Sequence, residues 1–318
     1  MKRLAVLIGV CFSTLLFSQQ EQQYSQYMLN QFALNPAVAG TEDFIDVIGG
    51  ARKQWWGFES APTTGFITAH MTVGKQSHQF HHRGEDRSWH GVGLQAFKDQ
   101  TGPISRSSFL LAYAYNMPIT TKIRLSSGAY FGVKQWTTDR DKWKNIDDNT
   151  DYLFSSSLSS DPLPDLHLGM CLYSESFFVN LSAFSLLKND LAVNFEDFEG
   201  EAVLNRHYFL NTGVKLWMNE TIEIMPSMMV KYMNGTPLSV DLNAKFTHND
   251  QFWYGASYRV LDAFNVFIGG EVSKQFYVSY AFEWSHSAIG KYIRGTHEII
   301  VGVRLRHPKF IDCPSKYW

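Results

Sequence analysis

The chain has 318 residues, and its 28 Lys and Arg against 30 Asp and Glu leave a formal net charge of −2. A balance this close to zero leaves no basic footprint for a nucleic-acid partner, and none is expected. Aromatics make up 15% and charged residues only 18%, and beyond the first residues no apolar stretch reaches the roughly 20 residues that a spanning helix needs.

The chain opens on Met1-Lys2-Arg3, an apolar run from Leu4 to Phe17, and Ser18-Gln19-Gln20. A basic start, a short apolar core and a small residue at the cut predict a secretory signal peptide over 1–18, cleaved after Ser18. The apolar run is too short to serve as an anchor. Cys11 follows Val10 rather than a small residue at a cleavage point, so lipidation is not expected. Cys171 and Cys313, far apart, are read as separate thiols rather than a disulfide framework.

Residues 19–42 do not alternate. They carry amides and tyrosines, an Asn35-Pro36 turn, and Gly40 where the chain can take a positive φ. The expectation is a periplasmic segment that folds under the following domain or enters it as a plug.

From 43 to 306 period-two alternation recurs. Leu238, Val240, Leu242, Ala244 and Phe246 alternate with Ser239, Asp241, Asn243 and Lys245. Similar runs begin at Ile123, Phe276 and Ile299. One face is apolar; the other holds Gly, Ser, Arg124, Lys134, Glu283, Arg304 and Arg306. A strand with two such faces separates either core from water or lipid from lumen.

The length of the segments favours lipid, because soluble strands average about 5–6 residues whereas a tilted membrane strand needs about 9–11. About fourteen segments are predicted, near 43–58, 63–74, 89–99, 104–117, 122–136, 164–173, 176–185, 205–218, 221–232, 237–247, 251–260, 263–272, 275–285 and 295–306. The fold class is therefore all-β, a transmembrane antiparallel up-and-down barrel, with 307–318 as a C-terminal tail. Trp55, Trp56, Trp136, Trp217, Trp253 and Trp284 fall at segment ends and are expected in interfacial girdles. Connections 137–163, 186–204 and 286–294 are long and fall on the outer side. The 75–88 connection would be an unusually long periplasmic one.

Candidate chemistry is thin. His78, His81 and His82 have metal-like spacing, but no further ligand is placed beside them, and they are read as a solvated loop. Asp147, Asn149 and Asp151 start like a calcium loop, yet Tyr152 and Leu158 stand where the glycine and the closing acid belong. No nucleophile elbow or other catalytic signature is present. No enzyme activity, cofactor or metal is expected.

Two motifs carry a resemblance. Tyr24-Ser25-Gln26-Tyr27-Met28 with Asn30, then Leu34-Asn35-Pro36-Ala37-Val38-Ala39-Gly40, is followed by Arg52-Lys53-Gln54-Trp55-Trp56-Gly57-Phe58 and Ala61-Pro62-Thr63-Thr64. In order and spacing they resemble the PorP/SprF family, type IX secretion membrane proteins of Bacteroidota. Glu59-Ser60 stand where family members often carry a glycine.

The resemblance implies an outer-membrane barrel that assists secretion or surface attachment of cargo proteins, gliding-motility adhesins among them. It implies periplasmic ring proteins of the secretion machine as partners, alongside cargo and outer-membrane lipids. It also implies a partner-binding or pore-closing role for Tyr24, Gln26, Tyr27, Asn30, Asn35, Pro36, Gly40, Arg52, Gln54, Trp55, Gly57, Phe58, Ala61, Pro62 and Thr63. The competing expectations are a passive channel for small solutes and, after it, an outer-membrane hydrolase.

Overall fold

A computed structural model describes residues 23–74, 87–139, 161–187, 190–191, 202–203 and 205–306. The expected signal peptide and C-terminal tail lie outside these residues, as do His78, His81, His82 and the Asp147-Asn149-Asp151 spacing.

The alternating segments form long strands. The first seven are β1 (Phe44–Lys53), β2 (Thr63–Val73), β3 (Trp89–Thr101), β4 (Ile104–Pro118), β5 (Arg124–Thr138), β6 (Leu163–Tyr173) and β7 (Phe177–Phe184). A two-residue hairpin, β8 (Asp190–Leu191) and β9 (Ala202–Val203), follows in a connection where no strand is predicted. The remainder are β10 (His207–Val214), β11 (Leu216–Trp217), β12 (Ile222–Met233), β13 (Ser239–His248), β14 (Phe252–Arg259), β15 (Ala263–Glu271), β16 (Phe276–Ser285) and β17 (Thr296–Arg306).

Neighbours pair in sequence from β1 to β7, β7 pairs with β10, β10 with β12, and β12 to β17 follow in order. The wall closes where β17 returns to β1, in register from Phe44 opposite Arg306 to Lys53 opposite His297. Every pairing is antiparallel, and β11 is a short continuation of β10 along β12, so the barrel has fourteen staves, as predicted. Closure leaves no sheet edge, which is what allows strands to cross lipid. No described helix is long and apolar enough to span a membrane; strands do the crossing.

The two faces are sorted opposite to those of a water-soluble sheet. Phe131 is 63% exposed, whereas Lys134, three residues on, is 1% exposed. Apolar side chains face outward and the polar and charged set faces the lumen, an arrangement stable only in an apolar solvent. Leu111, exposed on this outer face at the middle of β4, gives a direct measure. Leu111→Arg is expected to destabilise the barrel in lipid vesicles by about 2–4 kcal/mol, as for cations at the bilayer midplane. Leu261→Arg, at the rim, should cost under about 1 kcal/mol; equal costs in denaturant titrations would contradict the lipid-facing assignment.

Two expectations need correcting. The first strand stops at Lys53 rather than 58, because Trp55 (φ 54) and Gly57 (φ 92) turn the chain out of the sheet. Trp136 and Trp253 are not girdle residues: parity puts Trp136 on the inner face of β5, against the Arg106 guanidinium, and Trp253 on the inner face of β14, buried, where its Nε1 donates to Ser279 Oγ at 3.3 Å. A buried indole N–H needs an acceptor, which the polar lumen offers and lipid does not. Trp56, Trp217 and Trp284 are exposed, as girdle residues should be.

Candidate functional site

The lumen is occupied. Residues 23–42 run along its axis, and from Tyr24 to Thr41 nearly all are buried. Most short turns fall on the rim that holds Phe44 and Arg306, which is assigned as periplasmic, and most long connections on the outer rim, with the long 74–88 connection and the tight 102–103 turn among the exceptions. Ser25 lies among residues near the outer ends of β1, β16 and β17, and Gly40 among residues at the periplasmic ends of β2 and β3. The segment therefore enters the described structure near the outer rim and descends to the start of β1.

Its geometry follows from local residue choices. Asn30 begins a 3-10 turn over Gln31–Leu34, its Oδ1 accepting the Ala33 N–H at 3.2 Å. Asn35 begins a second over Pro36–Val38, with Pro36 at the first position and the Asn35 Oδ1 accepting from Ala37 N at 2.9 Å. The Asn35 amide then donates outward to the Met170 carbonyl of β6 at 2.9 Å. One side chain thus closes the turn and fastens it to the wall.

The wall is shaped to receive this turn. A Cβ on Gly128 would stand 2.8 Å from the backbone of Pro36 and Ala37, and one on Gly169 would stand 1.9 Å from Asn35 Oδ1. Gly40, at φ 68, packs against Gly91 in the same way. Glycine here permits backbone-to-backbone approach.

The backbone polar groups of the segment, which cannot pair with one another in this irregular path, find partners on the wall. Tyr130 donates to the Phe32 carbonyl, Gln95 to Ala33, Ser182 to Leu34, Asn116 to Ala39, and Trp89 to Gly40. Phe32 is the apolar anchor, packed between Tyr130 and His70 at centroid distances of 5.3 and 4.7 Å. Tyr24 meets Phe66 edge-on at 5.0 Å.

A charged clasp holds the outer end. The Glu298 carboxylate accepts the backbone N–H of Ser25 at 2.8 Å and of Gln26 at 3.0 Å. Ser25 Oγ donates to Glu283 at 3.0 Å, and Asn265 donates to the Ser25 carbonyl at 2.8 Å. Arg52 stands between the carboxylates, 3.3 Å from Glu283 and 3.7 Å from Glu298, with its Nη1 donating to Gln54 at 2.7 Å. From Glu283 the alternation of sign continues through Arg259 (3.4 Å), Asp241 (3.1 Å) and Lys231 (2.8 Å). Removed from water, such charges persist only because each faces its opposite.

The family-motif residues divide into two groups. Tyr24, Gln26, Tyr27, Asn30, Asn35, Pro36 and Gly40 lie in the lumen, and Arg52 and Gln54 join them at the clasp. Thr63 instead begins β2, and Trp55, Gly57, Phe58, Ala61 and Pro62 lie in the β1–β2 connection at the outer rim. There Trp55 N donates to Thr296 Oγ1 at 3.1 Å, while Trp56 exchanges backbone bonds of 2.7 Å with Gly295 and Arg294. Ser60 adopts φ 59, the left-handed conformation for which a glycine would carry no strain.

Glu298 and Glu283 lie outside the family motifs, although strand alternation reads Glu283 as a lumen charge, and Ser25 lies within the first motif but not among the residues given a role. Glu298 is detectable by extending the inner face Ile300-Gly302-Arg304 back by two residues.

An apolar-faced, closed antiparallel barrel with a polar, filled lumen is an outer-membrane protein of the β-barrel class. The chain belongs to the PorP/SprF family: the family model described as "Type IX secretion system membrane protein PorP/SprF" matches residues 16–303. It is thus a membrane component of type IX secretion.

No curated protein matches the chain in sequence. Among solved structures, the toluene transporter TbuX of Ralstonia pickettii is similar with a TM-score of 0.52 at 8% identity, over 88% of this chain and 93% of TbuX. Omp33 of Acinetobacter baumannii gives 0.48 at 9% identity, over 84% of this chain and 100% of its own. At such identities the likeness is one of fold.

Proposed function

We propose that the protein is a non-enzymatic, self-plugged barrel that assists secretion or surface attachment of cargo proteins. It does so by presenting surfaces to cargo and to the periplasmic ring of the machine rather than by conducting solutes. Family membership supports the secretion context. The observation that carries the mode of action is that the first family motif is spent on filling the lumen and binding its wall.

The motif at the outer rim, Trp55 to Thr63, is the proposed cargo-side contact, since Trp56 and Phe58 are half exposed on a connection held firmly by Arg294 and Gly295. A strain lacking the protein is expected to lose a defined set of surface proteins while small-solute uptake is unchanged. Complementation with a Trp56→Ala, Phe58→Ala variant should restore barrel abundance without restoring those proteins. An unchanged surface proteome together with impaired solute uptake would overturn the reading. It would favour a passive channel, the alternative that the fold likeness to a toluene transporter keeps in view.

A further inference from the structure

Beside the plug, between it and the wall, the lumen holds a cavity of about 50 Å³, lined among others by Phe32, Glu42, Asp46, His70, Tyr277 and Arg304. We propose that Glu42, Asp46 and His70 form a binding site for a divalent transition-metal ion, with Zn²⁺ the ion their donors fit, which clips the lower end of the plug to the first hairpin.

The three residues come from different parts of the chain. Glu42 belongs to the plug's exit, Asp46 to β1 and His70 to β2. Asp46 and His70 are direct cross-strand partners on the lumen face. Glu42 is carried to them by Thr72 of β2, whose hydroxyl donates to the Glu42 carbonyl at 2.6 Å. All three are buried, and one ligand atom from each lies within 4.8 Å of the others. Zinc ligands at about 2.1 Å in tetrahedral geometry stand about 3.4 Å apart, so side-chain shifts on the order of 1 Å bring donors that lie within 4.8 Å into a set.

His70 supplies an independent sign. Its ring is 5% exposed, lines this cavity, and its Nδ1 has no hydrogen-bond partner among the described residues. A buried imidazole nitrogen without a partner calls for a physical explanation. Asp46 is held as a ligating carboxylate usually is, by an outer hydrogen bond, here from Tyr277 Oη at 3.3 Å. Arg304, Lys215 and Lys245 line the same cavity and balance its carboxylates, with the Arg304 Nη1 also tied to Glu271 at 2.6 Å and its guanidinium over the Tyr277 ring.

One imidazole with two carboxylates suits zinc better than calcium or magnesium, which prefer all-oxygen sites, and lacks the thiolates that favour Cu(I). Three protein ligands leave a fourth position facing the cavity, open to water.

The test uses full-length protein in detergent, stripped with chelator and titrated with Zn²⁺, with bound metal counted by elemental analysis. Because His78, His81 and His82 could bind zinc elsewhere, the H78A/H81A/H82A variant is titrated in parallel. One equivalent should bind to both proteins, and Glu42→Gln should weaken that binding at least tenfold. His70→Gln should do the same; if it fails to fold, Glu42→Gln, which precedes the barrel, remains decisive. Absence of a stoichiometric equivalent, or an equivalent lost in the loop variant but kept in Glu42→Gln, would overturn the proposal.

Discussion

Replacing Arg52 with alanine is expected to release the outer end of the plug and turn a silent barrel into a conducting one. The guanidinium is almost wholly buried between Glu283 and Glu298, which are themselves buried. Removing one partner of such a group leaves uncompensated charge and typically costs about 3–5 kcal/mol. The backbone hydrogen-bond ladder of the fourteen-stave wall does not run through the Arg52 side chain. The loss therefore falls on the element that can move, the stretch around Ser25 and Gln26.

Arg52→Lys, which restores charge but not the fork that reaches Gln54 and both acids, should give an intermediate effect. Planar-bilayer recordings read the opening directly. A Ser25→Cys reporter should react with an impermeant maleimide in Arg52→Ala and be protected otherwise. Silence and full protection in Arg52→Ala would show that the clasp does not hold the plug.

The second large effect is expected at the inner wall. In Gly128→Ala the added methyl meets the backbone of Pro36 and Ala37 at 2.8 Å, a contact that no side-chain rotation relieves. In Gly169→Ala it meets Asn35 Oδ1 at 1.9 Å, and Asn35 is not free to swing because the same side chain caps the turn and binds Met170. Overpacking of this kind costs about 1–3 kcal/mol per site.

The double variant should expel the Asn35-Pro36 turn and expose residues 23–42 to added protease while the barrel stays resistant. Gly65→Ala is the matched control, since a Cβ there meets nothing within 4 Å. Equal protease resistance in the double variant, the control and the unsubstituted protein would mean that the close approach is tolerated by adjustment of the wall.

The barrel was legible in the sequence because its physics is local. Alternation at Ser239–Phe246 or Phe276–Ser285 needs only the pleat to assign faces, and the faces found are those expected. The lumen's contents were less legible. Gly128 and Gly169 sit on the inner face among serines and charges, and nothing nearby announces that their missing side chains accommodate Asn35 and Pro36, some 90 to 130 positions earlier. The Glu42, Asp46 and His70 group depends on the β1–β2 register, which the sequence constrains only to within a residue or two. Trp253 misled because a tryptophan at a strand end suits a girdle or a lumen equally well, and only parity decides between them.

Ser25 bonds to Glu298 across 273 positions of chain, which has a kinetic consequence. Glu298 lies on the last strand, the one whose pairing with β1 seals the wall. The clasp can therefore be complete only when β17 is in place. Contacts this distant in sequence are the slowest to form, and until they do β1 and β17 remain open edges that invite wrong pairing. Arg52 and Glu298 face each other across that seam, so the residues that fasten the plug are also residues that meet where the wall closes.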